Sequence, residues 1–253
     1  MLSKNDIKFI KSLELKKFRV ENGVFPAEGH KLVDDLSGKF HCRLVIATGN
    51  WMDSHRKVVA DRVECVTPEE LKKASFLRTP QDVMALFSIP QHSQSLSEQA
   101  SENLVLALDG IQDPGNLGTI VRIADWFGIR DIFCSKDTVD IYNPKSVQAT
   151  MGALARVRLH YCNLDEELSL LDRNIPIYGT FLDGENMYGK RLSSNGVIIM
   201  GNEGNGISSQ TGRYVTERLY IPSWPAGSET SESLNVAVAT AVVCAEFRRP
   251  GRQ

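Results

Sequence analysis

No apolar run in this chain of 253 residues reaches the roughly 20 residues that a membrane-spanning helix needs, so no bilayer crossing is expected. The opening MLSKNDIKFIKSLELKKFR lacks the apolar core of a secretory signal, and its acidic residues argue against a transit peptide. The cytoplasm is the expected compartment. Cysteine is scarce: Cys42, Cys65, Cys134, Cys162 and Cys244 are odd in number, far apart and form no CxxC. Neither a disulfide framework nor a zinc site is therefore expected, but reduced core residues are. No cluster of metal-ligating residues stands out, so no metal is expected. Also missing are the GxGxxG of dinucleotide-binding loops and the Lys followed by Ser or Thr of a P-loop.

A large excess of one charge is lacking as well. The net charge is −2, yet the first twenty residues carry Lys4, Lys8, Lys11, Lys16, Lys17 and Arg19 against only Asp6 and Glu14. That local excess fits either a solvated helix face or contact with nucleic acid. The C-terminal EFRRPGRQ adds a second small basic patch. With 42% hydrophobic and 24% charged residues, the chain has the composition of a globular protein with one large or two small domains.

Residues 88–103, SIPQHSQSLSEQASEN, are rich in Ser and Gln and read as an exposed linker. The expected division is a domain over 1–90, a linker over 91–103 and a second domain over 104–253. In the front part, short apolar runs at 43–48, 61–67 and 82–87 alternate with helical patterns at GHKLVDDL and PEELKKA, which implies a compact α/β or α+β domain. The back part alternates more strictly. Strands are expected at 104–108, 131–135, 175–180, 197–201 and 218–222, and helices at 116–128, 143–155, 164–173 and 233–249. Such alternation implies a parallel sheet covered on both faces, with ligands held at the carboxyl ends of its strands.

Three of those end loops carry unusual residues. In LDGIQDPGNLGTIVRIADWFGI, Leu117, Ile120, Val121 and Ala124 form a buried stripe from which Arg122 is excluded. Arg122 stands one turn after Gly118, and Asp125 three residues on is an available partner. In GVIIMGNEGNGIS, Gly201, Gly204 and Gly206 line a loop shaped like a phosphate cradle, but Glu203 at its centre would repel an anion. In IPSWPAGSETSESLNVAVATAVVCAEF, a helix from Leu234 to Phe247 is expected to be buried nearly all round. Ser231, Glu232 and Ser233 supply its capping groups, which leaves Asn235 in need of a partner.

Together, NLGTIVR with Asn116, Gly118 and Arg122, then MGNEGNGIS, then IP at 221–222 with SLNVAVA at 233–239, resemble the three motifs of the SpoU or TrmH family of the SPOUT superfamily. These are ribose 2′-O-methyltransferases that act on RNA with S-adenosylmethionine. IYNPKSVQATMGALAR is similar to the family's Asn-Pro-Lys and Met-Gly-Ala segment, so the resemblance runs in order through 104–249. GVFPAEGHKLVDDL and RTPQDVMALF are similar to the family's ribosomal-protein-like RNA-binding extension.

The resemblance implies a parallel-sheet α/β SPOUT domain with a C-terminal trefoil knot, preceded by a smaller α/β RNA-binding domain, in a homodimer. It implies methyl transfer from S-adenosylmethionine to a ribose 2′-hydroxyl of structured RNA, ribosomal RNA being favoured over transfer RNA. The cofactor would be held around Thr180, Met200, Gly201, Gly204, Ile221 and Pro222, and by Ser233, Leu234 and Asn235. Arg122 would be the central catalytic group. Asn116 and Glu203 would hold it and the RNA, and Ser233 and Asn235 would complete the site. S-adenosylmethionine has no phosphate, so a carboxylate in the glycine loop is no obstacle to it.

Two features depart from the family. Gln148 stands where members often have arginine, and the segment between Pro222 and Ser233 is longer and includes Trp224, a residue that could stack on a base or pack on its own domain. Two other readings compete: a non-catalytic RNA-binding or assembly factor on the same scaffold, and a nucleotide-dependent oxidoreductase. The absent GxGxxG and its missing acidic partner count against the second.

Overall fold

A computed structural model describes residues 2–225, 231 and 233–249. The chain divides into two compact units, Met1–Gln91 with Asp140–Ala155, and His92–Val139 with Arg156–Gln253. The Asn-Pro-Lys segment thus belongs with the front of the chain and not with the sequence that flanks it. Glu232 and the end of the basic C-terminal patch, 250–253, lie outside the described residues.

In the first unit, α1 (Lys4–Ser12) and α2 (Lys16–Asn22) precede β1 (Val24–Glu28), α3 (His30–Leu36), β2 (Cys42–Ala47), α4 (Gly49–Ser54), β3 (Arg62–Cys65), α5 (Pro68–Ala74) and β4 (Val83–Ser88). The sheet order is β1-β4-β2-β3, antiparallel except for the β2–β3 pair. β1 carries Pro26, which cannot donate to a ladder, and accordingly it lies at a sheet edge. Arg19, counted with the solvated charges, is in fact 1% exposed. It donates to the carbonyls of Leu13 and Glu14 at 2.7 and 2.8 Å and pairs with Asp140 at 2.6 Å. Its charge is therefore spent inside the unit.

The second unit begins with α6 (Leu96–Glu102), inside the expected linker. Leu96 and Ala100 are both fully buried and sit four residues apart, so two apolar side chains suffice to dock an otherwise polar helix. Next come β5 (Leu104–Asp109), α7 (Pro114–Trp126) and β6 (Asp131–Ser135). After α8 (Pro144–Ala149), which belongs to the first unit, follow β7 (Arg158–Cys162), α9 (Leu164–Ser169), β8 (Ile177–Asn186), β9 (Gly196–Gly201), α10 (Ser209–Gly212), β10 (Glu217–Tyr220) and α11 (Val236–Phe247). The helix expected over 143–155 is interrupted, because Met151 and Gly152 adopt φ of 50° and 90°.

Among the described residues the sheet has six strands in the order β10-β8-β9-β5-β6-β7, every pairing parallel. From β5 the chain moves outward through β6 to β7, then crosses to build β8, β9 and β10 on the other side. β5 and β9 therefore flank the point where the winding reverses, and in such sheets ligands bind at the loops that leave the carboxyl ends of these strands. The five cysteines are free; Cys42, Cys134 and Cys244 are buried, whereas Cys65 is exposed on edge strand β3 and Cys162 is half-buried.

A buried ion cluster fastens edge strand β7. Asp131, 3% exposed, accepts from Arg158 and from His160, each at 2.8 Å. Burial opposes its ionisation, but the hydrogen bonds from His160 and Arg158 outweigh that and hold its pKa below the ordinary 3.8. Its contribution to stability is thus complete above the unfolded value and is lost as the pH falls through the lower folded one. Asp131→Asn should cost about 3 kcal/mol at neutral pH. Urea unfolding at a series of pH values should show that difference closing below the ordinary carboxyl value, whereas a pH-independent difference would contradict the assignment.

Candidate active site

The candidate site is built by the loops that leave β5 and β9 and by the start of α11. Asp109 ends β5 and accepts from the Ser208 N–H at 2.8 Å, joining the two loops at their base. Asp113 then caps α7, accepting from the Asn116 N–H at 2.7 Å. α7 starts two residues earlier than expected, since Pro114 at its first position has no N–H to leave unpaired.

The glycine loop after β9 closes on itself. Asn202 and Gly206 exchange two backbone hydrogen bonds of 2.9 Å. The Asn202 side-chain oxygen accepts from the N–H groups of Gly204 and Asn205 at 2.9 and 3.0 Å, and its amide donates to the Gly110 carbonyl at 2.7 Å. A phosphate cradle must present free N–H groups, and three successive ones are already engaged here. Gly201 permits this closure: a Cβ on it would stand 2.2 Å from the Gly206 carbonyl carbon and from the Ile207 nitrogen.

Glu203 reaches out of that loop to Asn116, whose Nδ2 donates to Glu203 Oε1 at 3.0 Å. Asn116 Oδ1 in turn accepts from Asn235 Nδ2 at 2.9 Å. Asn235 Oδ1 then accepts from the N–H groups of Ala237 and Val238 at 3.0 and 3.3 Å, which makes Asn235 the N-cap of α11. Donor and acceptor roles are forced along this chain. An ionised carboxylate only accepts, so each amide must turn its nitrogen toward Glu203 and its oxygen toward the helix. The capping role expected of Ser233 therefore falls to Asn235, and Ser233 is exposed without a hydrogen bond among the described residues. Nor is the stretch expected as a buried helix covered all round: Leu234, which precedes α11, and Val238 on it are about half exposed.

Arg122 does not join this chain. It is exposed on α7, six residues beyond Asn116, a spacing that puts it about 9 Å further along the axis and about 120° around the helix. Asp125, its expected partner, is bound instead by Arg156 at 2.7 to 3.0 Å. Arg122 is left without an ion pair or hydrogen bond among the described residues.

Of the other residues singled out, Thr180 marks where β8 leaves its ladder with β10, which resumes only at Glu185. Met200 and Gly201 are buried at the carboxyl end of β9, and Ile221 and Pro222 follow β10 and are half-buried. β10, β8 and β9 are neighbours, so these three points share one end of the sheet. Gly204 is exposed at the loop tip. Trp224 is 90% exposed, while Gln148 belongs to the first unit. A cavity of about 590 Å³ in the second unit, around Tyr178 and Lys190, contains none of these site residues. Among the described residues no group of His, Cys, Asp and Glu could hold a metal ion, and no helix is long and apolar enough to cross a membrane.

Comparison with known proteins identifies the family. A family model described as the SpoU rRNA Methylase family matches residues 103–245, and one described as an MRM3-like substrate binding domain matches residues 4–85. The 23S rRNA (guanosine(2553)-2′-O)-methyltransferase RlmP of Bacillus subtilis is 27% identical over 96% of this chain and 95% of its own. A TrmH-family structure from Porphyromonas gingivalis is 41% identical, covers 98% of both chains and superposes with a TM-score of 0.89. The AdoMet-bound rRNA methyltransferase from Sinorhizobium meliloti is 27% identical, with a TM-score of 0.83 over 98% of this chain and 95% of that one. The first model alone spans more than half of the chain, and the chain belongs to the SpoU rRNA Methylase family.

Proposed function

We propose that this protein transfers the methyl group of S-adenosylmethionine to a ribose 2′-hydroxyl of structured RNA, ribosomal RNA in preference to transfer RNA. The observation that carries the reading is the directed chain from Glu203 through Asn116 to Asn235, which ties three loops into one wall at the start of α7, the helix that also carries Arg122, an arginine with no partner among the described residues. The closed glycine loop supports a cofactor without phosphates. Among the described residues, the backbones of Ile221 and Leu234 form no turn or loop hydrogen bond, so they are available to the amino-acid and adenine edges of such a cofactor. The holding groups are then the backbone at Thr180, Met200, Gly201, Gly204, Ile221 and Pro222, with Ser233, Leu234 and Asn235. Bound S-adenosylmethionine supplies an electrophilic methyl group on a sulfonium.

The protein's own contribution is to place a 2′-hydroxyl in line with that methyl group and to stabilise the alkoxide as its proton leaves. Arg122 suits the second task. A guanidinium keeps its proton at ordinary pH, so it acts as a fixed cation toward the developing oxyanion or the adjoining phosphate and not as a free base. Glu203 and Asn116 shape the wall without touching Arg122.

The domain over 1–90 serves as the RNA-binding part, and 104–253 carries the chemistry and the C-terminal knot, in the cytoplasm. A homodimer is supported by the exposed apolar side chains Trp126, Leu234 and Val238 on or beside α7 and α11, two helices that pack together. Calorimetry with S-adenosylmethionine, NAD and ATP in parallel tests the reading. Binding of S-adenosylmethionine and its demethylated product alone is expected, and binding of NAD or ATP in their place would overturn it.

A further inference from the structure

A cavity of about 350 Å³ lies wholly in the first unit, walled by Pro26 and Glu28 of β1, by Phe76 and its neighbour Leu77 after α5, and by Lys145 and Gln148 of α8. That volume falls in the range of small-ligand pockets. Most of the wall is apolar, which makes its one carboxylate conspicuous. Glu28 is 4% exposed and forms no ion pair among the described residues. Its oxygens accept from the Phe76 N–H at 2.7 Å and from the Ser75 hydroxyl. Burial pushes its pKa above the ordinary value in spite of those two bonds. An ionised carboxylate offers about four acceptor positions, so two bonds leave acceptor capacity over. A buried group held at that cost is expected where a ligand uses it.

The surroundings select the ligand. Phe76 is half-buried and carries the Lys11 ammonium 5.1 Å from its ring centroid. Lys145 is exposed, and Gln148, half-buried, lies three residues on, on the same side of α8. An aromatic ring, an acceptor, an amide able to donate and accept, and a lysine are the groups by which proteins hold an unstacked base and its phosphate. A bare phosphate or an acidic peptide would meet the Glu28 carboxylate and be repelled. We propose that this cavity takes one unpaired nucleobase of the RNA, a base with an exocyclic amino group such as cytosine, whose amino hydrogens Glu28 accepts while Lys145 meets the adjoining phosphate. Uracil presents a carbonyl oxygen at the same position and is excluded. The site rests on the reading of this chain as an RNA-binding enzyme, and it adds sequence selectivity to the first unit.

The test measures binding of the full chain to fluorescein-labelled short oligocytidylate and oligouridylate by anisotropy, with S-adenosylmethionine titrated separately by calorimetry. The wild type should prefer oligocytidylate by about tenfold, the discrimination expected of one base contact. Glu28→Gln keeps the shape and an oxygen for the Phe76 N–H, and should abolish the preference. Gln148→Ala, on the half-exposed rim, should reduce it without touching the buried carboxylate. Lys145→Ala should weaken both oligonucleotides alike and lower the salt dependence. Equal affinity of the wild type for both, or a preference that survives Glu28→Gln and Gln148→Ala, overturns the proposal. Base preference without S-adenosylmethionine binding would instead refute methyl transfer and leave this site standing.

Discussion

Arg122→Ala is expected to lower methyl transfer by about a hundredfold to a thousandfold while leaving the affinity for S-adenosylmethionine within about twofold of wild type. The size follows from the task assigned to the guanidinium, since removing one preorganised donor from a developing oxyanion costs two to three orders of magnitude in kcat. Selectivity follows from its position. Arg122 is exposed and has no partner among the described residues, and its one local candidate, Asp125, is already bound by Arg156. Its loss therefore orphans nothing, and stability should change by less than about 0.5 kcal/mol. Arg122→Lys should be nearly as inactive, because an ammonium keeps the charge but loses the planar fork. Single-turnover kinetics and calorimetry on the same samples separate the two effects. Retained turnover in the alanine variant would remove Arg122 from the chemistry.

Gly201→Ala should act on the opposite side of that division. Its Cβ would fall 2.2 Å from backbone atoms of Gly206 and Ile207, and backbone cannot swing aside as a side chain can. The loop must then open, breaking the Asn202–Gly206 bridge and withdrawing Glu203 from Asn116. Affinity for S-adenosylmethionine should fall at least about a hundredfold, and the strain should lower stability by about 1–3 kcal/mol. Gly204→Ala is the control: its Cβ meets nothing nearer than the Asn202 side-chain oxygen at 3.6 Å, so the fold should be unaffected. Equal melting temperatures for the Gly201 variant and the wild type would show that the loop is not held as described.

The elements most readable in the sequence were those whose surroundings are uniform. β5, β6 and β9 lie inside a parallel sheet with both faces covered, so their sequences are nearly continuous apolar runs. β7, RLHYC, was not foreseen because it is an edge strand whose Arg158 and His160 are paid for by Asp131, a partner on another strand. β1 was hidden by Pro26, and α6 by having only Leu96 and Ala100 to bury. At the site, motif order pointed to Asn116, Glu203 and Asn235, but not to their mutual contacts. Residue spacing reports on neighbours along one helix or strand, and these three come from loops 87 and 119 positions apart in the chain. The same limit explains Arg122: an i, i+3 rule offered Asp125, while the structure supplies Asp125 with an arginine 31 residues further on.

Glu203, which looked misplaced in a phosphate loop, is the fixed acceptor that orients two amides and through them the first turn of α11. Methyl transfer to a ribose 2′-oxygen is tested most directly by one measurement. The full chain is incubated with unmodified ribosomal RNA and S-adenosylmethionine labelled in its methyl group, and the RNA is then hydrolysed with alkali. A methylated 2′-oxygen blocks cleavage of the adjoining phosphodiester, so the label is predicted in an alkali-resistant dinucleotide at a single position. Label recovered in free mononucleotides as a methylated base, or no transfer to any RNA, would contradict the account.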